Sequence, residues 1–247
     1  MLLVSCYYNI PSKNSKDFYF SQIENFFNFL QDVKIIFFTD QENYAELKKF
    51  AKDNIHFCII SFDSLRVFSE FNKEFWDRQV ERDIEKYHTW QLAALWANKK
   101  YFVQEASELF PENEWYMWTD SGCIRDKYWE KTCINFTKRN IELQEGIYVQ
   151  LLNKIPDSKI FFQFPDMYTA GALILFHKNF IYKFISDYNN MLIIYDLNNI
   201  SGNSDQHIMS SLVVRNQTNI KPILYDSICC EIKETIFDKW FFFLGLF

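Results

Sequence analysis

Glycine and proline are both scarce, with 5 of each in 247 residues. Neither GxGxxG nor GxxxxGK[ST] occurs, so Rossmann dinucleotide binding and P-loop chemistry by their usual fingerprints are excluded. Cysteine is present six times but never as CxxC. The adjacent pair Cys229 and Cys230 is a poor disulfide set, so a zinc site by cysteine spacing is not expected. No apolar stretch approaches the ~20 residues a membrane helix needs. The start, MLLVSCYYNI, lacks the basic flank and long apolar run of a signal peptide. A reduced, cytoplasmic protein is the expectation. Basic residues are also in deficit: 26 Lys and Arg face 32 Asp and Glu, a formal charge of −6. That argues against a general nucleic-acid binder, which needs a basic face.

What the chain has in excess is aromatic surface, 19% of residues, with Phe 27, Tyr 14 and Trp 7. Coding bias is the preferred reading, because Asn, Ile and Lys are abundant too; stacking surfaces for bases or sugars are the alternative. Apolar residues at 49% and charged residues at 23% are ordinary for a globular domain. With no internal repeat and no low-complexity linker, one domain over 1–247 is the simplest organisation.

Periodicity predicts strands at Leu2–Tyr7, Val33–Thr39 and Ile55–Ser61, with helices at Asp17–Gln31 and Gln41–Lys52 between them. This β-α-β-α-β alternation favours a parallel sheet with right-handed crossovers. Glu74–Lys100, charged and free of Gly and Pro, reads as one long helix that continues through Leu109 to Pro111. Strands follow at Glu114–Thr119, Ile147–Leu152, Ala170–Phe176 and Ile223–Tyr225, and helices at Phe180–Tyr195 and Ser204–Val213. The tail WFFFLGLF is either a last buried strand or a patch that docks on a membrane or a partner.

In an open parallel sheet, ligands sit beyond the carboxyl ends of the strands. Asp40 follows VKIIFFT and Asp120 follows EWYMWT, each with a choice between holding a cation or ligand hydroxyl and capping the next turn. Capping is preferred for Asp40. Function is preferred for Asp120, which small Ser121 and Gly122 follow. Arg125 beside it suits a phosphate-bearing ligand, or else a surface ion pair. Lys99 is a phosphate partner or, preferentially, a solvated side chain. Asp205 and Gln206 open a helix, where an acid and an amide either face a polyhydroxyl ligand or serve the helix dipole. His88, His177 and His207 read as structural, His207 least so because it adjoins Asp205-Gln206.

In the order LLVSCYYNI, KIIFFTD, LAALWANK, WYMWTDSGCIR, TAGALILF and GNSDQHIMSSL, the chain resembles HtrL/YibB-like proteins. Through them it resembles glycosyltransferases of the GT-A fold, including the glycogenin and galactosyltransferase group. The resemblance spans Leu2 to about Leu212; its most specific pieces are WTDSGCIR and the SDQ helix start. It implies an α/β, GT-A-like fold with a mixed, mostly parallel sheet flanked by helices. It also implies a nucleotide-sugar-dependent glycosyltransferase in surface-glycan biosynthesis, with a glycan or lipid-linked acceptor. By the same resemblance, Tyr7 and Tyr8 face the base with Asp40 nearby. Lys99 faces the donor sugar or diphosphate, and Thr169, Ala170 and Gly171 stand beside that sugar. Asp205 and Gln206 match the acid–amide pair that contacts it, with Asp205 a base if configuration inverts and a stabilising carboxylate if it is retained. Asp120 takes the first position of the DxD motif, which implies a divalent cation, Mn or Mg. The second motif acid is Gly122 here, and no histidine follows His207, so two ligands of the family's metal are missing. A non-catalytic nucleotide-sugar or glycan-binding module on the same scaffold is the alternative reading. A phosphate-ester hydrolase ranks last, because it would want more clustered acids than DSG provides.

Overall fold

A computed structural model describes residues 1–123, 144–215 and 219–224. Arg125, Cys133, Cys229, Cys230 and the apolar tail at 240–247 lie outside the described residues. The amino-terminal alternation is as the periodicity predicts: β1 (Leu2–Cys6), α1 (Lys16–Phe29), β2 (Ile35–Thr39), α2 (Gln41–Leu47) and β3 (Ile55–Ile59). Helix α1 starts where Ser15 Oγ accepts the Phe18 N–H at 3.3 Å. Its buried stripe is Phe20, Ile23, Phe26 and Phe27. A short helix α3 (Val67–Glu70), α4 (Lys73–Glu81) and α5 (Trp90–Leu109) follow. The chain then forms β4 (Trp115–Thr119), β5 (Ile147–Leu151), β6 (Thr169–His177), α6 (Ile181–Leu197), α7 (Asp205–Val214) and β7 (Ile220–Leu224).

The seven strands make one sheet in the order β3-β2-β1-β4-β6-β5-β7. β1 pairs in parallel with β2 and β4, and β2 with β3. Only β6 runs against its neighbours β4 and β5, and β7 returns to parallel pairing with β5. Strand alternation sorts the side chains into two apolar layers. Leu2, Val4 and Cys6 join the face covered by α5, α6 and α7. Leu3 and Tyr7 join the face covered by α1.

The single helix expected over Glu74–Lys100 is two helices with a break at 82–89. No glycine or proline marks it. Instead Asp83 turns its carboxylate onto the backbone N–H of Glu85 at 3.0 Å and of His88 at 3.4 Å, an Asx-type turn that competes with helix hydrogen bonding. Lys86 takes a positive φ of 62°. Thr89 then restarts the helix by accepting the Leu92 N–H at 3.2 Å.

Because β6 runs backwards, its first residues lie at the rim where β1 and β4 end. Leu173 pairs with Thr119, and the Asp120 N–H donates to the Ala172 carbonyl at 3.0 Å. The start of α7 packs onto the same rim, so residues distant in sequence meet there. No helix among the described residues is long and apolar enough to cross a membrane.

Candidate functional site

The rim opens into a cavity of about 300 Å³. Its polar centre is Lys99, from the middle of α5. The Lys99 ammonium donates to Asp205 Oδ2 at 2.7 Å and to the Gly171 carbonyl at 3.0 Å. It also lies 3.0 Å from Asp120 Oδ1 and 3.3 Å from Oδ2. Burial alone would depress the Lys99 pKa; Asp120 and Asp205 outweigh it and hold the amine above its usual range, firmly charged. The solvated reading of Lys99 is therefore corrected: the residue is 6% exposed. Burial raises the pKa of Asp120, against the pull of Lys99 and with a further push from Asp205. Trp118 Nε1 donates to Asp120 Oδ1 at 2.7 Å, which fixes the carboxylate toward the cavity.

Asp205 sits in the first turn of α7, where the helix dipole favours a negative charge. It closes onto Gly171 so tightly that a Cβ there would stand 2.7 Å from Asp205 Cγ and closer still to its oxygens. The glycine is thus required by the approach of the acid. Ser121 Oγ donates to the Cys6 carbonyl at 2.9 Å and ties the turn after β4 to the end of β1.

Of the residues singled out in the sequence, Tyr7, Tyr8, Lys99, Asp120, Ser121, Gly122, Gly171, Asp205 and Gln206 all line this one cavity. Tyr8 lies nearly parallel to Phe102, with ring centroids 6.1 Å apart. Its hydroxyl is buried without a hydrogen-bond partner among the described residues. Three others lie elsewhere, of which Ala170 is fully buried in β6. Asp40 caps α2, accepting the Asn43 N–H at 2.7 Å and its side-chain amide at 2.9 Å. Thr169 is buried behind the site, donating to the Gln206 carbonyl at 2.9 Å. Arg125 is outside the described residues. His207 is buried on α7, and burial lowers its pKa to about 4.

A divalent cation at Asp120 does not fit the described residues. The charged Lys99 ammonium stands 3.0 Å from this carboxylate and repels a second cation there, Trp118 takes one of its lone pairs, and position 122 offers no side-chain ligand. The positive charge beside Asp120 is the lysine itself. The one described group of three side chains with metal-ligating spacing is Asp83, Glu85 and His88, in the α4–α5 break. Glu85 and His88 line the same cavity. Sequence reasoning missed this group because it read the segment as unbroken helix; the signal was Asp83-Ile84-Glu85 followed by His88 and a capping Thr89.

No family model matches the chain, and no curated protein matches it in sequence. Solved structures match at the level of fold. Mouse xyloside xylosyltransferase 1, in its apo form, is similar over 90% of this chain and 84% of its own, at 9% identity and a TM-score of 0.53. A glycosyltransferase involved in the glycosylation of the major capsid of PBCV-1 is similar at 13% identity, over 91% of this chain and 80% of its own, with a TM-score of 0.41. CMP:2-keto-3-deoxy-manno-octonic acid synthetase, complexed with CTP, is similar at 7% identity, over 90% and 89%, with a TM-score of 0.42. The fold is GT-A-like: a mixed, mostly parallel sheet between helical layers, as in nucleotide-diphospho-sugar transferases.

Proposed function

We propose that the cavity binds a nucleotide-diphosphate sugar and transfers its sugar to an acceptor hydroxyl. The observation that carries this reading is Lys99: a charged amine, buried between Asp120 and Asp205 at the floor of an aromatic-walled cleft. The Lys99 ammonium is held by two carboxylates, and a diphosphate binds it by exchanging one of those contacts for a phosphate oxygen. The leaving diphosphate is where negative charge builds in sugar transfer, and fixed positive charge there supplies the largest electrostatic contribution. Asp205 and Gln206, at the start of α7, line the same cavity as Asp120 and are suited to the sugar. The transition state is oxocarbenium-like, as in glycoside cleavage. A carboxylate at Asp205 serves it as base toward the acceptor or as a stabilising charge. Tyr7 and Tyr8 line the cavity and are assigned to the base by the sequence resemblance. The GT-A-like fold supports the same assignment.

The test is a thermal-shift panel of UDP, GDP, CMP and their sugars. Binding raises apparent stability by mass action, so a hit also names the base. A wild-type protein that responds to none of them overturns the proposal. The second reading, a module that binds the donor without turnover, is favoured by Gly122 in place of the second motif acid. Release of free sugar or a glycosylated acceptor on prolonged incubation decides against it.

A further inference from the structure

The cavity also carries chemistry that nucleotide binding does not use. His88 is buried to 2% of its side-chain surface, Asp83 to 4% and Glu85 to 11%. Asp83 Oδ2 lies 2.8 Å from His88 Nδ1. Asn203, from the loop before α7, closes the group: its amide stands 3.0 Å from the same ring nitrogen and donates to Asp83. An ionised carboxylate at that distance requires Nδ1 to carry the ring hydrogen. The lone pair of the neutral imidazole is then on Nε2. Glu85, whose carboxylate also accepts a hydrogen bond from the Tyr87 hydroxyl, has its Oε2 3.9 Å from that atom. This gap is too long for a hydrogen bond. Two ligands at about 2.0–2.2 Å from a tetrahedral zinc ion stand about 3.4 Å apart, so a side-chain shift of about half an ångström brings the pair onto one ion. Tyr87 and Trp96 flank the imidazole, at ring centroids 3.9 Å and 5.2 Å away, and hold its orientation.

We propose that Glu85 and His88 Nε2 bind a divalent transition-metal ion of the zinc class, with Asp83 orienting the histidine. An imidazole paired with a carboxylate selects such an ion over magnesium or calcium, which prefer all-oxygen shells. A carboxylate on the second ring nitrogen is the usual support for a metal-bound histidine, since it fixes the tautomer and raises ligand basicity. Both ligands line the cavity, so the remaining coordination positions face it. There water, or an oxygen of a bound ligand, completes the shell. The site is separate from Asp120 and does not depend on the nucleotide-sugar reading.

The experiment is calorimetric titration of zinc chloride into the metal-stripped full chain with no nucleotide present. Cobalt absorption serves as an independent report of the ligand set. One equivalent of zinc is expected to bind, with magnesium in excess failing to displace it. Glu85→Gln and His88→Gln each weaken zinc binding by at least about tenfold, the scale on which even supporting residues of a metal site act. Asp120→Asn leaves it unchanged. Glu85→Gln removes a charge without removing volume, so it keeps the test decisive should His88→Gln fold poorly. No stoichiometric binding by the wild type overturns the proposal and leaves the group as a hydrogen-bonded staple of the turn. Equal affinity in Glu85→Gln, or loss of binding in Asp120→Asn, overturns it as well.

Discussion

Lys99 is an expensive residue to place where it is. Taking an ammonium out of water costs several kcal/mol even after relaxation. Asp120 and Asp205 offset that cost through contacts of 3.0 Å and 2.7 Å. The three residues therefore stand or fall together. Lys99→Met leaves Asp205, buried, without its counter-charge, and is expected to cost about 3–5 kcal/mol of stability, read by urea denaturation. Asp120→Asn keeps the shape and one hydrogen bond to the lysine. It should cost far less stability, yet weaken nucleotide binding in the thermal-shift panel. Equal loss of stability in both variants would assign the cluster to folding alone. Gly171 makes a sharper steric case. A methyl group there meets the Asp205 carboxylate well inside van der Waals contact, so Gly171→Ala must displace that carboxylate from Lys99 or push α7 away from β6. Overpacking of this kind costs about 1–3 kcal/mol, and the loss of melting temperature measures it. Asp120 was legible in the sequence as an acid after a buried strand with small residues behind it. The role of Lys99 was not, because its partners lie 21 and 106 positions away and nothing local distinguishes it from a solvated lysine on a charged helix.

At the scale of elements, the sheet was easier to read than the helices. Strands such as Ile35–Thr39, buried at every position, announce themselves as continuous apolar runs. The α4–α5 break has no such signature, since it is made by a side chain, Asp83, capturing backbone N–H groups. The cap that restarts α5 gives a direct test. Thr89→Ala removes the acceptor for the Leu92 N–H and should cost about 1 kcal/mol. If the turn is positioned by that cap, the variant also weakens zinc binding at Glu85 and His88. Helix α5 holds a second buried lysine beside the first. Lys100 is 2% exposed, donates to the Ala97 carbonyl, and packs against the Tyr101 and Tyr188 rings at 4.6 Å and 4.3 Å. Burial lowers its pKa well below the usual value, against a weaker opposite pull from Glu70. The unfolded chain holds that proton up to about pH 10.4, so stability rises with pH over the alkaline range. Lys100→Met should therefore be more stable at neutral pH by roughly 1–2 kcal/mol, the order of burying a polar group whose hydrogen bonds are only partly made. Its alkaline slope should also be flatter. Denaturation midpoints across that range check both.

Across the whole molecule, the two faces of the sheet divide the labour. The α1 face is apolar packing with few charges, whereas the α5–α6–α7 face carries the buried lysines and His207, and the cavity at the rim takes residues from both. Polar burial on this scale makes the stability of the fold depend on pH, and His207 gives the dependence a definite direction. Burial lowers its pKa to about 4; Asp166 opposes the shift and His88 adds to it. The unfolded histidine titrates near about 6.5. Above that value neither state is protonated, and His207 contributes no slope. Below it the unfolded chain takes up a proton that the folded chain refuses, so stability falls as pH drops toward 4 and the loss then levels off. A shift of this size corresponds to at most about 3 kcal/mol. Glu85 and Glu105, whose pKa values burial raises, act in the opposite sense over part of the same window. The quantity to measure is therefore the difference between wild type and His207→Asn, by urea denaturation from neutral pH down to about 4. The wild type should lose stability relative to the variant through that interval and hold a constant difference above it. A difference that does not change with pH would mean that the ring is hydrated in the folded chain, and that the packing between α7 and the sheet is looser than its buried side chains imply.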